Sequence, residues 1–220
     1  MRPSTYRADM PRLRWDVCPV NVGLHQTVMQ SNSHPSIDLI EAHEFDQFLV
    51  YLNDHLSDNG GSGGYFQPLS RSESSFPPER AVNFRAALVL PVGQAGWRRL
   101  WVARNSSNQI VGHIDLRSHA ERFAEHRCLL GMGVDRGHRK IGLGKRLIEH
   151  AQEWTRANPL LEWIDLQVLS SNREAIRLYE RSGFERVGEI PDMFRIDGHN
   201  LSYIAMSKAL GKGRASDAPT

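Results

Sequence analysis

The stretch from 128 to 169 constrains the fold more than any other part of the chain. An apolar, strand-like run at 128–134 leads through a glycine-bearing turn into a helix expected over 142–156. That helix carries Leu143, Leu147, Ala151 and Trp154 on one face, and a second apolar run follows at 163–169. Two strands joined through a helix of this length lie parallel, and the crossover between them is right-handed. The chain is therefore committed to an α/β (α+β) architecture in which helices cover a sheet.

The flanking segments extend that sheet. Strand-like runs at 98–103 and 110–116 precede the crossover, separated by the turn Asn105-Ser106-Ser107-Asn108. A short strand is expected at 37–42 and an amphipathic helix at 43–56, with Phe45, Phe48, Leu49 and Leu52 at helical spacing. The helix ends in the glycine-rich stretch 57–64, expected to be a flexible loop. A second helix is expected at 78–90, with proline in its first turn. After the crossover come a helix at 173–181 closed by Gly183, and strands at 184–190 and 201–207 joined through Asp197-Gly198. The sum is a mixed central sheet of about six to seven strands. Residues 1–35 have no period and are expected to be an irregular arm, 36–208 one domain, and 209–220 a disordered tail.

Composition closes off several classes. The 220 residues are 40% hydrophobic and 24% charged, as in soluble globular proteins. Apolar runs are too short for a membrane span, and the N-terminus lacks the apolar core of a secretory signal. Arg2, Arg7, Arg12 and Arg14 loosely imitate a transit peptide, but Asp9 and two prolines argue against one. Cys18 and Cys128 make no metal or redox motif, so no metal is expected and a reducing cytoplasm fits. A net charge of +2 leaves no electrostatic footprint for nucleic acid. Its distribution is uneven. No Lys or Arg lies between Arg14 and Arg71, where Asp16, Asp38, Glu41, Glu44, Asp46, Asp54 and Asp58 fall; Arg136, Arg139, Lys140, Lys145 and Arg146 cluster without an acid.

That basic cluster sits at the strand-to-helix turn of the crossover, 134–144. Glycines at a helix start admit a ligand close to the backbone, and unpaired amides with the positive end of the helix dipole attract an anion. A Walker loop is excluded because Arg139 occupies its first glycine position and Arg146 follows Lys145. A dinucleotide fingerprint is excluded because Leu147 stands three residues after Gly144. Taken alone, the turn is either an anion site or an ordinary glycine-bearing helix start.

Two motifs together resemble the GNAT superfamily of N-acetyltransferases. Arg139-x-x-Gly142-x-Gly144 matches the family's Q/R-x-x-G-x-G/A segment, and 171–184, with Asn172, Ala175, Leu178, Tyr179, Gly183 and Phe184, matches N-x-x-A-x-x-L-Y-x-x-x-G-F. The resemblance spans roughly 98–208. It implies a GNAT fold whose parallel strands splay at the cofactor site, and acetyl-CoA as acetyl donor. The backbone of Met132, Gly133 and Val134 is expected to pair with the pantetheine arm. The amides of Lys140, Ile141, Gly142, Leu143, Gly144 and Lys145, with Arg139, are expected to hold the pyrophosphate. Asn172 would bond the cofactor or a water, and Tyr179 would protonate the departing thiolate. Many relatives carry Gly at the position of Lys140 and a basic residue at that of Ile141. The RimI-type glutamate is replaced here by Gln167, which accepts no proton at neutral pH.

A general base is not marked. The strand at 128–134 contains neither acid nor His, leaving His113 and Asp115, Glu125 and His126, or a water chain. The acidic stretch 37–70, ending in Tyr65-Phe66-Gln67-Pro68, suits a cationic acceptor. The closing segment 193–198 with 203–206 resembles the hairpin of relatives acting on free amino acids or small amines. The favoured function is acetylation of a small-molecule primary amine. Acetylation of a protein or peptide amine, and a non-catalytic CoA-binding protein, stay open. Homodimers are common in the family, and no residue here decides between dimer and monomer.

Overall fold

The computed structural model describes residues 34–211. The expected arm, apart from His34 and Pro35, lies outside the described residues, as do Cys18 and all of the tail beyond Gly211. The elements are β1 (Ser36–Leu39), α1 (Phe45–Leu56), α2 (Pro78–Ala87), β2 (Arg98–Arg104), β3 (Ile110–Ser118), β4 (Arg127–Val134), α3 (Leu143–Ala157), β5 (Trp163–Leu169), α4 (Arg173–Arg181), β6 (Glu185–Ile196) and β7 (His199–Ala209). They form one seven-stranded mixed sheet in the order β1-β2-β3-β4-β5-β7-β6. Among the described residues only the β4–β5 pair is parallel, the crossover that the 128–169 pattern requires.

Helices cover both faces. Phe45, Phe48, Leu52 and Leu56 recur along one side of α1 and pack with Phe84 of α2 on Leu100 and Val102. On the opposite face, Leu143, Leu147, Ile148 and Ala151 of α3 join Ile164, Leu166, Val168, Tyr179 and Phe184. Alternation along β5 decides this division: Ile164, Leu166 and Val168 turn to α3, while Gln167 is exposed on the other side. Among the described residues no helix is long and apolar enough to cross a membrane.

Two features differ from expectation. β6 runs on to Ile196 rather than stopping near 190; it is a sheet edge, so Pro191 costs no ladder bond, and a register irregularity between Ile190 and Phe194 absorbs it. The hairpin turn falls where expected, with positive φ at both Asp197 (47°) and Gly198 (81°), as a two-residue turn of this kind requires. The glycine-rich stretch is organised rather than loose. The Asn59 side chain, fully buried, donates to the carbonyls of Gln67 and Leu69 and accepts from the amides of Phe66 and Gln67. Tyr65 then donates to Asp197 Oδ2 at 2.7 Å, tying this loop to the β6–β7 turn.

Candidate active site

β4 and β5 pair only at Arg127↔Trp163, Cys128↔Ile164 and Leu129↔Asp165. β4 continues against β3 as far as Gly112↔Val134, so residues 130–134 keep one bonded edge and turn the other toward a gap. Met132, Gly133 and Val134 border this gap. An extended ligand laid there meets backbone donors and acceptors without a competing strand.

The gap leads to the start of α3. Asp135 Oδ1 accepts from the Gly137 amide at 2.9 Å and from His138 Nδ1, shaping the turn after β4. Lys140 has φ 65° and Gly142 φ 86°, the left-handed conformation that glycine alone adopts freely. Gly142 is the N-cap and offers no side chain, and the first turn of α3 holds no acid. Among the described residues the amides of Lys140, Ile141, Gly142, Leu143, Gly144 and Lys145 have no bonded acceptor. Six free amides at a positive helix end, reached without side-chain obstruction, suit an anion.

The basic side chains are partly committed elsewhere. Arg136 grips Asp54 through two bonds of 2.8 Å and Asp58 at 2.5 Å. Arg139 donates through Nε to the Val134 carbonyl at 3.1 Å and lies 3.6 Å from Asp58. Two of the acids expected to draw a cationic acceptor therefore face the anion loop. Lys140 reaches Glu174 at 3.4 Å and Lys145 pairs with Glu149.

α4 closes the far side of the gap. Asn172 is its N-cap, accepting from the Ala175 amide at 3.2 Å, so its Oδ1 is committed to the helix. Tyr179 is buried against Phe184, ring centroids 5.8 Å apart. Its hydroxyl has no hydrogen-bond partner among the described residues and is not sealed from solvent. Burial pushes the phenol upward from its usual range, so it is a protonated donor at neutral pH.

The face of β4 toward α1 shows what the sequence hid. Gly131 and Gly133 leave room there, and side chains of β3 fill it: a Cβ on Gly131 would lie 2.5 Å from Asp115 Oδ1, and one on Gly133 2.7 Å from His113 Cε1 and 2.6 Å from His55 Nε2. Asp115 is held by Arg98 (3.3 Å) and Arg117 (3.1 Å). Tyr51 donates to the Gly133 carbonyl at 3.3 Å and also meets His113 Nδ1 at 3.3 Å. Burial lowers His113 to about 3, aided by neighbouring His55, and lowers His55 to about 4, aided by Arg139. Both imidazoles are neutral at pH 7. Glu125 and His126 lie away from the gap, since the His126 carbonyl accepts from Glu162 and Trp163 at the paired end of β4 and β5. Tyr51 and His55 were missed; their one sequence signal is the i, i+4 spacing beside the apolar stripe of α1. Among the described residues no group of three or more His, Cys, Asp or Glu side chains is placed to hold a metal ion.

Comparison with known proteins agrees with this geometry. The acetyltransferase (GNAT) family model matches residues 70–184. The catalytic subunit of the N-terminal acetyltransferase A complex of Arabidopsis thaliana is 29% identical over 101 residues, 46% of this chain and 53% of that protein, so the chain spans about half the length of this relative. A GNAT-family acetyltransferase from Streptococcus pneumoniae shares the fold with TM-score 0.68 at 20% identity, covering 80% of this chain and 99% of its own. A phosphinothricin acetyltransferase from Sinorhizobium meliloti, solved with acetyl-CoA, superposes with TM-score 0.66 at 18% identity, covering 85% and 94%. With more than half of its residues matched by the family model and the parted parallel strands in place, the chain belongs to the acetyltransferase (GNAT) family.

Proposed function

We propose that this protein transfers the acetyl group of acetyl-CoA to a primary amine of a small molecule, such as an amino acid, in a reducing cytoplasm. The observation that carries the reading is the parting of β4 and β5 in front of the unbonded amides of α3. In this reading Met132, Gly133 and Val134 pair with the pantetheine arm. The amides of Lys140, Ile141, Gly142, Leu143, Gly144 and Lys145, with Arg139 alongside, hold the pyrophosphate. The donor supplies an activated thioester; the amine attacks its carbonyl carbon directly, and positioning does much of the catalysis. Tyr179 gives its proton to the departing sulfur, a role supported by its unpartnered hydroxyl. Asn172 contributes by capping α4, and its amide nitrogen is left for the donor or a water.

A peptide amine is the second reading, favoured by the likeness to the Arabidopsis N-terminal acetyltransferase subunit. Gln167, exposed on β5 where a RimI-type enzyme carries glutamate, weighs against that version. A CoA-release assay over a panel of amino acids, alkylamines and peptides tests both. Turnover of small amines is expected, turnover of peptides alone would select the second reading, and tight acetyl-CoA binding with no turnover would overturn both.

A further inference from the structure

We propose that Nε2 of His113 takes the proton that the acceptor ammonium must lose before it attacks, an inference that rests on the acetyl-transfer reading above. β4 carries no base of its own on the face toward α1, where Gly131 and Gly133 stand. The register sets Asp115 opposite Gly131 and His113 opposite Gly133, and both side chains lean over the glycines. Asp115 is spent on Arg98 and Arg117, which hold it as a charge partner. His113 is left, beside the residue whose backbone borders the donor gap.

The tautomer follows from counting hydrogens. The Tyr51 hydroxyl has a single hydrogen, and the Gly133 carbonyl can only accept, so that hydrogen is committed there. Towards His113 the same oxygen must accept, which puts the imidazole hydrogen on Nδ1 and leaves the lone pair on Nε2. Nε2 has no protein partner among the described residues, yet it is not sealed from solvent, unlike Nδ1 of His55. Phe48 meets the ring edge-on, with centroids 5.3 Å apart, and fixes its plane. Tyr51 is thus a positioning residue for the base.

The charged and titratable neighbours of His113 are His55 and Tyr51 from α1, Asp115 from β3 and Arg98 from β2. Around His55 stand Asp54, Asp58, Asp135 and Arg139. Of these, only Asp115 offsets a positive charge at His113, and an imidazolium there sheds its proton at any pH above about 3, so Nε2 relays the proton to solvent rather than holding it. The neutral amine then forms the C–N bond as the C–S bond breaks. Tyr179 protonates the sulfur, and the second proton shed by nitrogen as the amide forms restores the phenol. One amide, one thiol and one released proton balance the ammonium and the thioester.

The experiment compares two acceptors of one size, an alkylamine that is almost wholly protonated at the assay pH and a fluorinated alkylamine that is largely neutral. In His113→Gln, kcat/KM for the protonated amine is expected to fall by ~100-fold or more, and that for the neutral amine by no more than about fivefold. Acetyl-CoA affinity, read by calorimetry, is expected to stay unchanged. Tyr51→Phe, which keeps the ring but frees the tautomer, should show the same selectivity with a smaller loss and decides the matter if His113→Gln does not fold. Equal losses for both amines, or no loss for either, would overturn the assignment. A wild-type protein that binds acetyl-CoA but acetylates neither amine would overturn the acetyl-transfer reading instead, and this inference with it.

Discussion

Gly144 and Leu178 meet where the first turn of α3 passes α4, so closely that a Cβ on Gly144 would lie 2.9 Å from the Leu178 Cδ2 methyl. Met132 follows at 3.5 Å, so the start of α3, the strand β4 and the helix bearing Tyr179 touch at this one point. Gly144→Ala is tolerated, because the end of a leucine side chain can turn aside. Gly144→Val overpacks the junction at a cost of about 1–3 kcal/mol. It should lower the melting temperature and weaken acetyl-CoA binding together, both measurable on the purified variant by thermal melting and calorimetry.

Tyr179→Phe removes a hydroxyl that has no hydrogen-bond partner among the described residues. Stability is therefore expected to be unchanged, and acetyl-CoA should bind within about twofold, while kcat falls ~100-fold or more. Steady-state kinetics beside calorimetry check this. Undiminished kcat would remove Tyr179 from the chemistry.

The pairing of Arg136 with Asp54 and Asp58 predicts an effect on the donor side from acids on α1 and its loop. Asp58→Asn releases positive charge toward the helix start. Acetyl-CoA affinity should rise by about two- to fivefold at low ionic strength, the scale of partly exposed ion pairs, and the gain should fade with salt. Titrations at two salt concentrations read it directly. Weaker binding in the variant would mean that the acids position the loop rather than compete for it.

Stability should depend on pH through the two buried imidazoles. Folding lowers His55 to about 4 and His113 to about 3 from an ordinary 6.5, so the unfolded chain binds more protons in that window. Stability is then complete above pH 6.5 and is lost as the pH falls toward 4. Each pKa unit is worth about 1.4 kcal/mol, and the two groups together remove on the order of 5 kcal/mol. Urea unfolding midpoints measured from pH 7 to pH 4 test this, and His55→Leu should flatten the slope. A slope unchanged in that variant would show that His55 contributes nothing.

The parts of the site that lie along a single stretch of chain were legible in the sequence. Gly142 and Gly144 announce a helix start open to a ligand, and the spacing from Asn172 to Tyr179 announces the helix facing it. The crossover follows from period alone. What stayed hidden depends on long-range register. Nothing local says that β3 side chains fill the spaces above Gly131 and Gly133, or that Arg136 finds Asp54 across 82 residues. Gly131 and Gly133 read as gaps in a strand until the neighbouring strand is set beside them. Asn59 was likewise hidden, since the glycines around it signal freedom while its buried amide organises the loop.

The parting of β4 and β5 has a consequence for how such a chain changes over time. The handle bordering the gap is main chain, and exchanging side chains cannot delete a peptide group. Sequence can drift widely around an opening of this kind, provided the two strands still separate after their third pair. Proteins sharing about a fifth of their residues with this one can thus retain the same frame. The face of β4 toward α1, where the proposed acceptor would sit, is filled by side chains and has no such protection, so it is where relatives are expected to diverge.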